Sequence, residues 1–129
     1  MRYAIAIHSA PYGGNGSRAG LSFARAALAA GHEISRVFFY HDGVYNALSS
    51  AVAPQGEADS GGAWSVFHTE TGVELAVCIA SGIKRGVLSE EERNRYDQTA
   101  ATLAPGFELV GLGQLMDAIL TSDRYIEFP

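Results

Sequence analysis

Along the chain, short continuous apolar runs alternate with longer stretches whose apolar residues recur every three or four positions. Residues 3–8 (YAIAIH), 33–40 (ending in VFFY) and 73–79 (VELAVCI) are of the first kind. Continuous runs rich in β-branched and aromatic residues, bounded by turn formers, predict strands covered on both faces. Between the first two, Leu21, Ala24 and Leu28 keep helical spacing from Ser17, a capping residue type, to Gly31, a natural stop. A first crossover helix is expected there, with Ser17 as its cap.

The same alternation continues. His41-Asp42-Gly43 breaks the second strand, residues 44–52 predict a short helix, and the Pro/Gly-rich stretch 54–62 is the longest expected loop. Residues 63–71 predict a helix ended by Gly72. Residues 80–85 predict one or two turns closed by Gly86, with Ser89 then capping an acidic first turn. A fourth strand is expected at 107–111, an amphipathic helix at 112–120 and a last strand at 125–128. Five strands separated by helices predict an α/β fold: an open five-stranded parallel sheet flanked by helices, with flavodoxin-like layering, in one domain over residues 1–129.

In such sheets ligands and chemistry collect at the carboxyl ends of the strands, where loops and helix N-termini present free N–H groups. That edge is expected to hold the loop 11–16, His41 and Asp42, Cys78, and the turn 111–113.

Composition narrows the classes. An apolar share of 47% with 18% charged residues and a mean hydropathy of +0.05 is that of a folded globular protein rather than a disordered one. A formal charge of -5 supplies no cationic field, so direct nucleic-acid binding is not expected. No apolar run approaches the roughly 20 residues of a membrane span, and Met1 leads straight into RYAIAIHS. No membrane association and a cytoplasmic location are the expectation. The single cysteine, Cys78, has no partner for an internal disulfide, which fits a reducing compartment.

Cys78 has the clearest chemical logic. A thiol at a strand end just before a helical turn lies near unpaired N–H groups that favour thiolate, and Lys84 and Arg85 add positive charge within two turns. The alternative is that Cys78 is a buried core residue of an apolar strand. Residues 14–19 formally match a G-x-G-x-x-G/A fingerprint and Asp42 follows the second strand, which keeps nucleotide binding as an alternative function. The glycines sit too far from the strand for the usual tight turn, and no Gly-Lys-Ser/Thr follows them, so a permissive loop is the preferred reading. The four histidines lack metal-ligand spacing, no metal is expected, and no G-x-S-x-G elbow is present. His41-Asp42 is either a turn-forming pair or an aid to Cys78. Val44, Tyr45, Trp64 and Phe67 either fill the core or form an oligomer interface.

The blocks RYAIAI at the start, GHEISRVFFYHDGVYNA at 31–47, VCIASGIKRGV at 77–87, GFELVGLGQL at 106–115 and SDRYIEF near the end carry a resemblance. With them the chain resembles the DsrE/TusD branch of the DsrE-like sulfur-relay proteins, nearly end to end. The resemblance implies a cytoplasmic subunit of a heterohexamer with TusC/DsrF-like and TusB/DsrH-like chains. It also implies the family's active cysteine at Cys78 and at no other residue. The implied activity is that of a sulfurtransferase. A persulfide on Cys78 would be received from a TusA-like donor and passed to a TusE/DsrC-like acceptor, with no metal or organic cofactor. Two settings are implied, 2-thiolation of the tRNA wobble uridine and dissimilatory sulfur oxidation. A non-catalytic scaffold subunit with a structural Cys78 is the remaining alternative. After the cysteine the family commonly runs through alanines, whereas Ala80-Ser81-Gly82 here includes a glycine.

Overall fold

The computed structural model describes residues 1–57 and 60–129. In chain order it has β1 (Arg2–Ile7), α1 (Gly16–Ala29), β2 (Glu33–Phe39), a 3-10 helix (His41–Ala47) and α2 (Ser60–Thr71). These are followed by β3 (Leu75–Cys78), α3 (Ile79–Lys84), α4 (Glu90–Arg95), β4 (Phe107–Val110), α5 (Leu112–Leu120) and β5 (Arg124–Phe128). Every strand is found where the apolar runs predicted it, within two residues at each end. The expected loop 54–62 includes residues 58 and 59, which lie outside the described residues, and α2 takes up its last positions from Ser60.

All strand pairs are parallel and the sheet order is β4-β3-β2-β1-β5. From β1 to β4 the chain steps in one direction, and the connection from β4 to β5 then returns across the whole sheet. Right-handed crossovers require the outward helices on one face and the returning helix on the other. The core follows that division. Ile5, Ile7, Val37, Phe39, Leu75 and Val77 form one face and pack with Ala24 of α1, Val44 of the 3-10 helix, and Trp64 and Phe67 of α2. Phe38, Ala76 and Cys78 point to the opposite face, where Leu115 of α5 covers them. Burying each large side chain of the first face contributes roughly 1.5–3 kcal/mol, so most of the stability resides there.

One expectation is corrected. Ser17 does not cap α1: Asn15 is the capping position, without a side-chain bond, and Ser17 is buried inside the first turn. Its hydroxyl donates to Asn46 Oδ1 at 2.7 Å and accepts from Trp64 Nε1 at 2.9 Å, a use that outweighs a solvent-facing cap. Of the four residues that could fill the core or form an interface, Trp64, Phe67 and Val44 are fully buried in the core and Tyr45 is half-buried. The exposed apolar side chains that the chain does present include Leu112, Met116 and Leu120, four residues apart along α5. Ser89 does cap α4, accepting the Glu92 N–H.

Candidate functional site

Cys78 is the last residue of β3 and the capping position of α3, with φ -59° and ψ 117°. The chain leaves a strand and enters a helix at that residue because the apolar run VELAVC ends where small residues, Ala80-Ser81-Gly82, allow a tight turn. Gly82 lies close against Leu109 and Val77, which seats α3 on the sheet. The first amides of α3 have no partner within their own helix, yet the Cys78 side chain makes no capping bond to them.

Register fixes what surrounds the sulfur. Val37 pairs with Leu75, Phe38 with Ala76 and Phe39 with Val77, so one step further the same register sets Tyr40 beside Cys78. On the other side Cys78 pairs with Val110 of β4. Side chains alternate across a strand, so Tyr40, Cys78 and Val110 share the face that α5 covers. Tyr40, Val110 and Leu115 pack against the cluster of Phe38, Ala76 and Cys78. The thiol is only 2% exposed in the isolated chain. Cys78 thus stands at the strand end, as expected, and is at the same time buried, as its alternative reading had it.

The row continues beyond Tyr40. Ile7 pairs with Phe39, and Tyr40 N–H donates to the Ile7 carbonyl, so His8 follows beside Tyr40. Ring centroids of His8 and Tyr40 are 5.8 Å apart, those of His8 and His41 5.5 Å, and those of Tyr40 and His41 4.0 Å. His8 Nε2 lies 3.9 Å from Glu127. His41 has a positive φ of 51°, an uncommon conformation for a residue with a side chain. These ring contacts were not legible from the spacing of the histidines, which are far apart in sequence. The signal that could have found Tyr40 is the two-residue period linking Phe38 to Tyr40 and Ala76 to Cys78.

The remaining expected residues are drawn elsewhere. Arg85 Nε donates to Asp42 Oδ1 at 2.9 Å and its Nη1 to the Ser81 carbonyl at 3.2 Å, tying α3 to the 3-10 helix. Asp42 and Arg85 are thus brought together as a pair, and the hydrogen bonds of that guanidinium do not go to the sulfur. Lys84 is exposed.

The glycine loop also has a structural use. A side chain at Gly16 would collide with the Pro129 carbonyl and Ser9 Oγ, so the close approach that glycine permits is made by the end of the chain itself. This is the boundary between β1 and β5, where the strand order reverses and where such sheets would take a nucleotide. Among the described residues no group of three or more His, Cys, Asp or Glu side chains could hold a metal ion, and no helix is long and apolar enough to cross a membrane.

Comparisons with known proteins agree with this architecture. A protein of Salmonella newport named Sulfurtransferase TusD is 44% identical over 128 residues, covering 99% of this chain and 100% of its own. The protein of the same name from Cronobacter sakazakii is 42% identical with the same coverage. The crystal structure of the YchN protein of E. coli superposes with a TM-score of 0.76 at 21% identity, covering 99% of this chain and all of its own, and so shares the fold. The profile of the DsrE/DsrF-like family matches residues 1–128, and this chain belongs to that family.

Proposed function

We propose that this chain is a sulfurtransferase subunit of a sulfur relay, and that Cys78 carries the travelling sulfur as a persulfide. The observation that carries the reading is the position of the chain's one thiol, at the carboxyl edge of a parallel sheet and at the entry to α3. Relatives matched along their whole length bear the name sulfurtransferase. One nucleophilic thiol is sufficient for the chemistry. The Cys78 thiolate attacks the terminal sulfur of a donor persulfide, R–S–SH. The donor S–S bond breaks, R–S⁻ leaves, and Cys78–S–SH forms with no net oxidation. Attack by an acceptor thiolate on that terminal sulfur repeats the exchange and regenerates the Cys78 thiolate. With no second cysteine in the chain, nothing internal discharges the persulfide as a disulfide.

Burial gives this chemistry a condition. A cysteine that is 2% exposed is shielded from small thiols and is also out of reach of a donor, so the cover of Tyr40, Val110 and Leu115 has to shift before each transfer. In this proposal TusC/DsrF-like and TusB/DsrH-like chains complete a heterohexamer, with a TusA-like donor and a TusE/DsrC-like acceptor, in the cytoplasm. The exposed apolar stripe of α5 supports association with other chains. Both 2-thiolation of the wobble uridine and dissimilatory sulfur oxidation require the same step at Cys78.

The test is mass spectrometry after incubation with a persulfide donor, for the chain alone and for its assembled complex. Wild type gains one sulfur atom and Cys78→Ser gains none. Equal gain in both, or no gain in wild type in either form, overturns the proposal. The burial of the thiol favours a second reading, a scaffold subunit in which Cys78 is a packing residue. In that case Cys78→Ser leaves relay activity of the complex intact.

A further inference from the structure

The sequence Ser89-Glu90-Glu91-Glu92 has the form of a capping box, in which a serine accepts from the backbone three residues on and the glutamate returns a bond to the serine N–H. Only half of it is made. Ser89 Oγ accepts the Glu92 N–H at 3.3 Å, but the Glu92 carboxylate does not return the bond to Ser89. Glu92 is 5% exposed, and its Oε2 is buried with no hydrogen-bond partner among the described residues. The nearest cation, Arg95 Nη1, stands 3.8 Å from Oε1, beyond hydrogen-bond reach, on a side chain that is 58% exposed. A buried carboxylate oxygen without a donor costs several kcal/mol, so this group is set up for a donor that the described residues do not supply.

The place where that donor would enter is visible. Glu92 lines a cleft of about 480 Å³ between α4 and β4, together with Glu91, Glu108, Arg95, Ile79 and Phe107. Three carboxylates and one guanidinium therefore line it, and that guanidinium also lies 3.7 Å from Glu91 without forming a short bond. The cleft opens beside β4, an edge strand of the sheet. A carboxylate oxygen is acceptor-only, so what Glu92 Oε2 lacks is an N–H or O–H donor.

We propose that this cleft binds an organic cation with hydrogen-bonding N–H groups, a guanidinium or alkylammonium head, with Glu92 as the buried acceptor and Glu91 and Glu108 as its rim. The cleft does not expose Glu92 Oε2 as it stands, so the carboxyl group turns to give a cation of this kind a charge-assisted bond, and the aliphatic stem of the cation packs on Ile79 and Phe107. Such a head belongs either to an arginine or lysine side chain of a docking protein or to a free metabolite. The inference does not depend on the role of Cys78, and a failure of either proposal leaves the other standing.

The test is a titration of the ¹⁵N-labelled full chain followed by NMR, with agmatine, the capped tripeptide acetyl-Gly-Arg-Gly-amide, and tetramethylammonium, which has the charge but no N–H. Agmatine or the peptide gives saturable shifts at Ile79, Ser89 to Arg95 and Phe107 to Leu109, and tetramethylammonium gives none. Binding weakens about tenfold in Glu92→Gln, as expected for losing one charged hydrogen bond. Because Glu92→Gln can perturb folding, Glu108→Gln at the rim provides a second reading and weakens binding by a smaller factor. Arg95→Ala, which removes the competing cation, tightens it. The peptide binding more tightly than agmatine identifies a protein side chain as the natural donor, and agmatine binding as tightly or better identifies a free cation. The proposal is overturned by the absence of saturable shifts with both agmatine and the peptide, by equal shifts with tetramethylammonium, or by unaltered affinity in both Glu92→Gln and Glu108→Gln.

Discussion

Tyr40 and Cys78 stand side by side, Tyr40 one residue beyond the end of β2 and Cys78 at the end of β3, on the face of the sheet that α5 covers. The tyrosine is the residue at which the chain leaves its strand, and the next residue, His41, holds a left-handed backbone conformation. Of the side chains packed around the sulfur, those of Tyr40 and of Leu115 in α5 belong to residues outside the strands, although the Tyr40 N–H still bonds the Ile7 carbonyl.

Removing that wall is expected to expose the thiol. In Tyr40→Ala and in Leu115→Ala, alkylation of Cys78 by iodoacetamide accelerates about tenfold, the change expected when about 1.4 kcal/mol of packing that opposes opening is lost. Tyr40→Phe keeps the ring and the wild-type rate. Rates unchanged in both alanine variants would show that the thiol is reached by another route. Arg85→Ala is expected to leave the alkylation rate within about twofold, because its guanidinium is engaged by Asp42 and Ser81.

Ser17 is expected to matter for stability rather than for activity. Its hydroxyl joins Trp64 Nε1 and Asn46 Oδ1 in the core, and Asn46 in turn donates to the carbonyls of Gly43 and Ser9. Ser17→Ala leaves a buried indole N–H and an amide oxygen unpaired and is expected to cost about 1–3 kcal/mol. Urea unfolding followed by the fluorescence of Trp64, the chain's one tryptophan, measures it directly. An unchanged midpoint would mean that water replaces the hydroxyl.

The sheet was legible because its strands announce themselves locally. VFFY and VELAVC are runs that only a covered strand accommodates, and Gly31, Gly72 and Gly86, which end helices by pattern, all take positive φ. Cys78 at its strand end follows from the same local pattern. What surrounds it does not, because Tyr40, Val110 and Leu115 reach the sulfur through register and through the return of α5, and both are long-range. Ser17 was misread for a related reason: a serine before a helix predicts a cap, and only tertiary contact with Asn46 and Trp64 draws it inward. Arg85 lies within two turns of the thiol in sequence, yet α3 directs it to Asp42.

Gly43 is required by a close approach. It lies in the 3-10 helix directly against the Ile7 carbonyl, with which any Cβ would collide, and backbone there has no room to yield. Gly43→Ala is expected to destabilise the protein by about 1–3 kcal/mol through overpacking. The same shift displaces Tyr40, whose carbonyl accepts the Gly43 N–H. A lowered melting temperature together with faster alkylation of Cys78 is the expected pair of results. Normal melting with a normal rate would contradict the contact.

Tyr125 gives the protein an alkaline limit. Its hydroxyl donates to Glu127 Oε1 at 2.7 Å, and burial, that hydrogen bond and the negative charge of Glu127 together raise its pKa well above the usual tyrosine value. A raised acid binds its proton more tightly in the folded state, so the folded chain holds more protons than the unfolded one once pH exceeds about 10, the unfolded value. The contribution is complete below that pH and is lost as pH rises through the folded value. Melting temperatures measured from about pH 8 to about pH 11 are therefore expected to fall more steeply for wild type than for Tyr125→Phe, which has no phenol to ionise. The two curves run parallel below about pH 9 and converge above it. Parallel curves across the whole range would show that the phenol ionises alike in both states, which the short bond to Glu127 argues against.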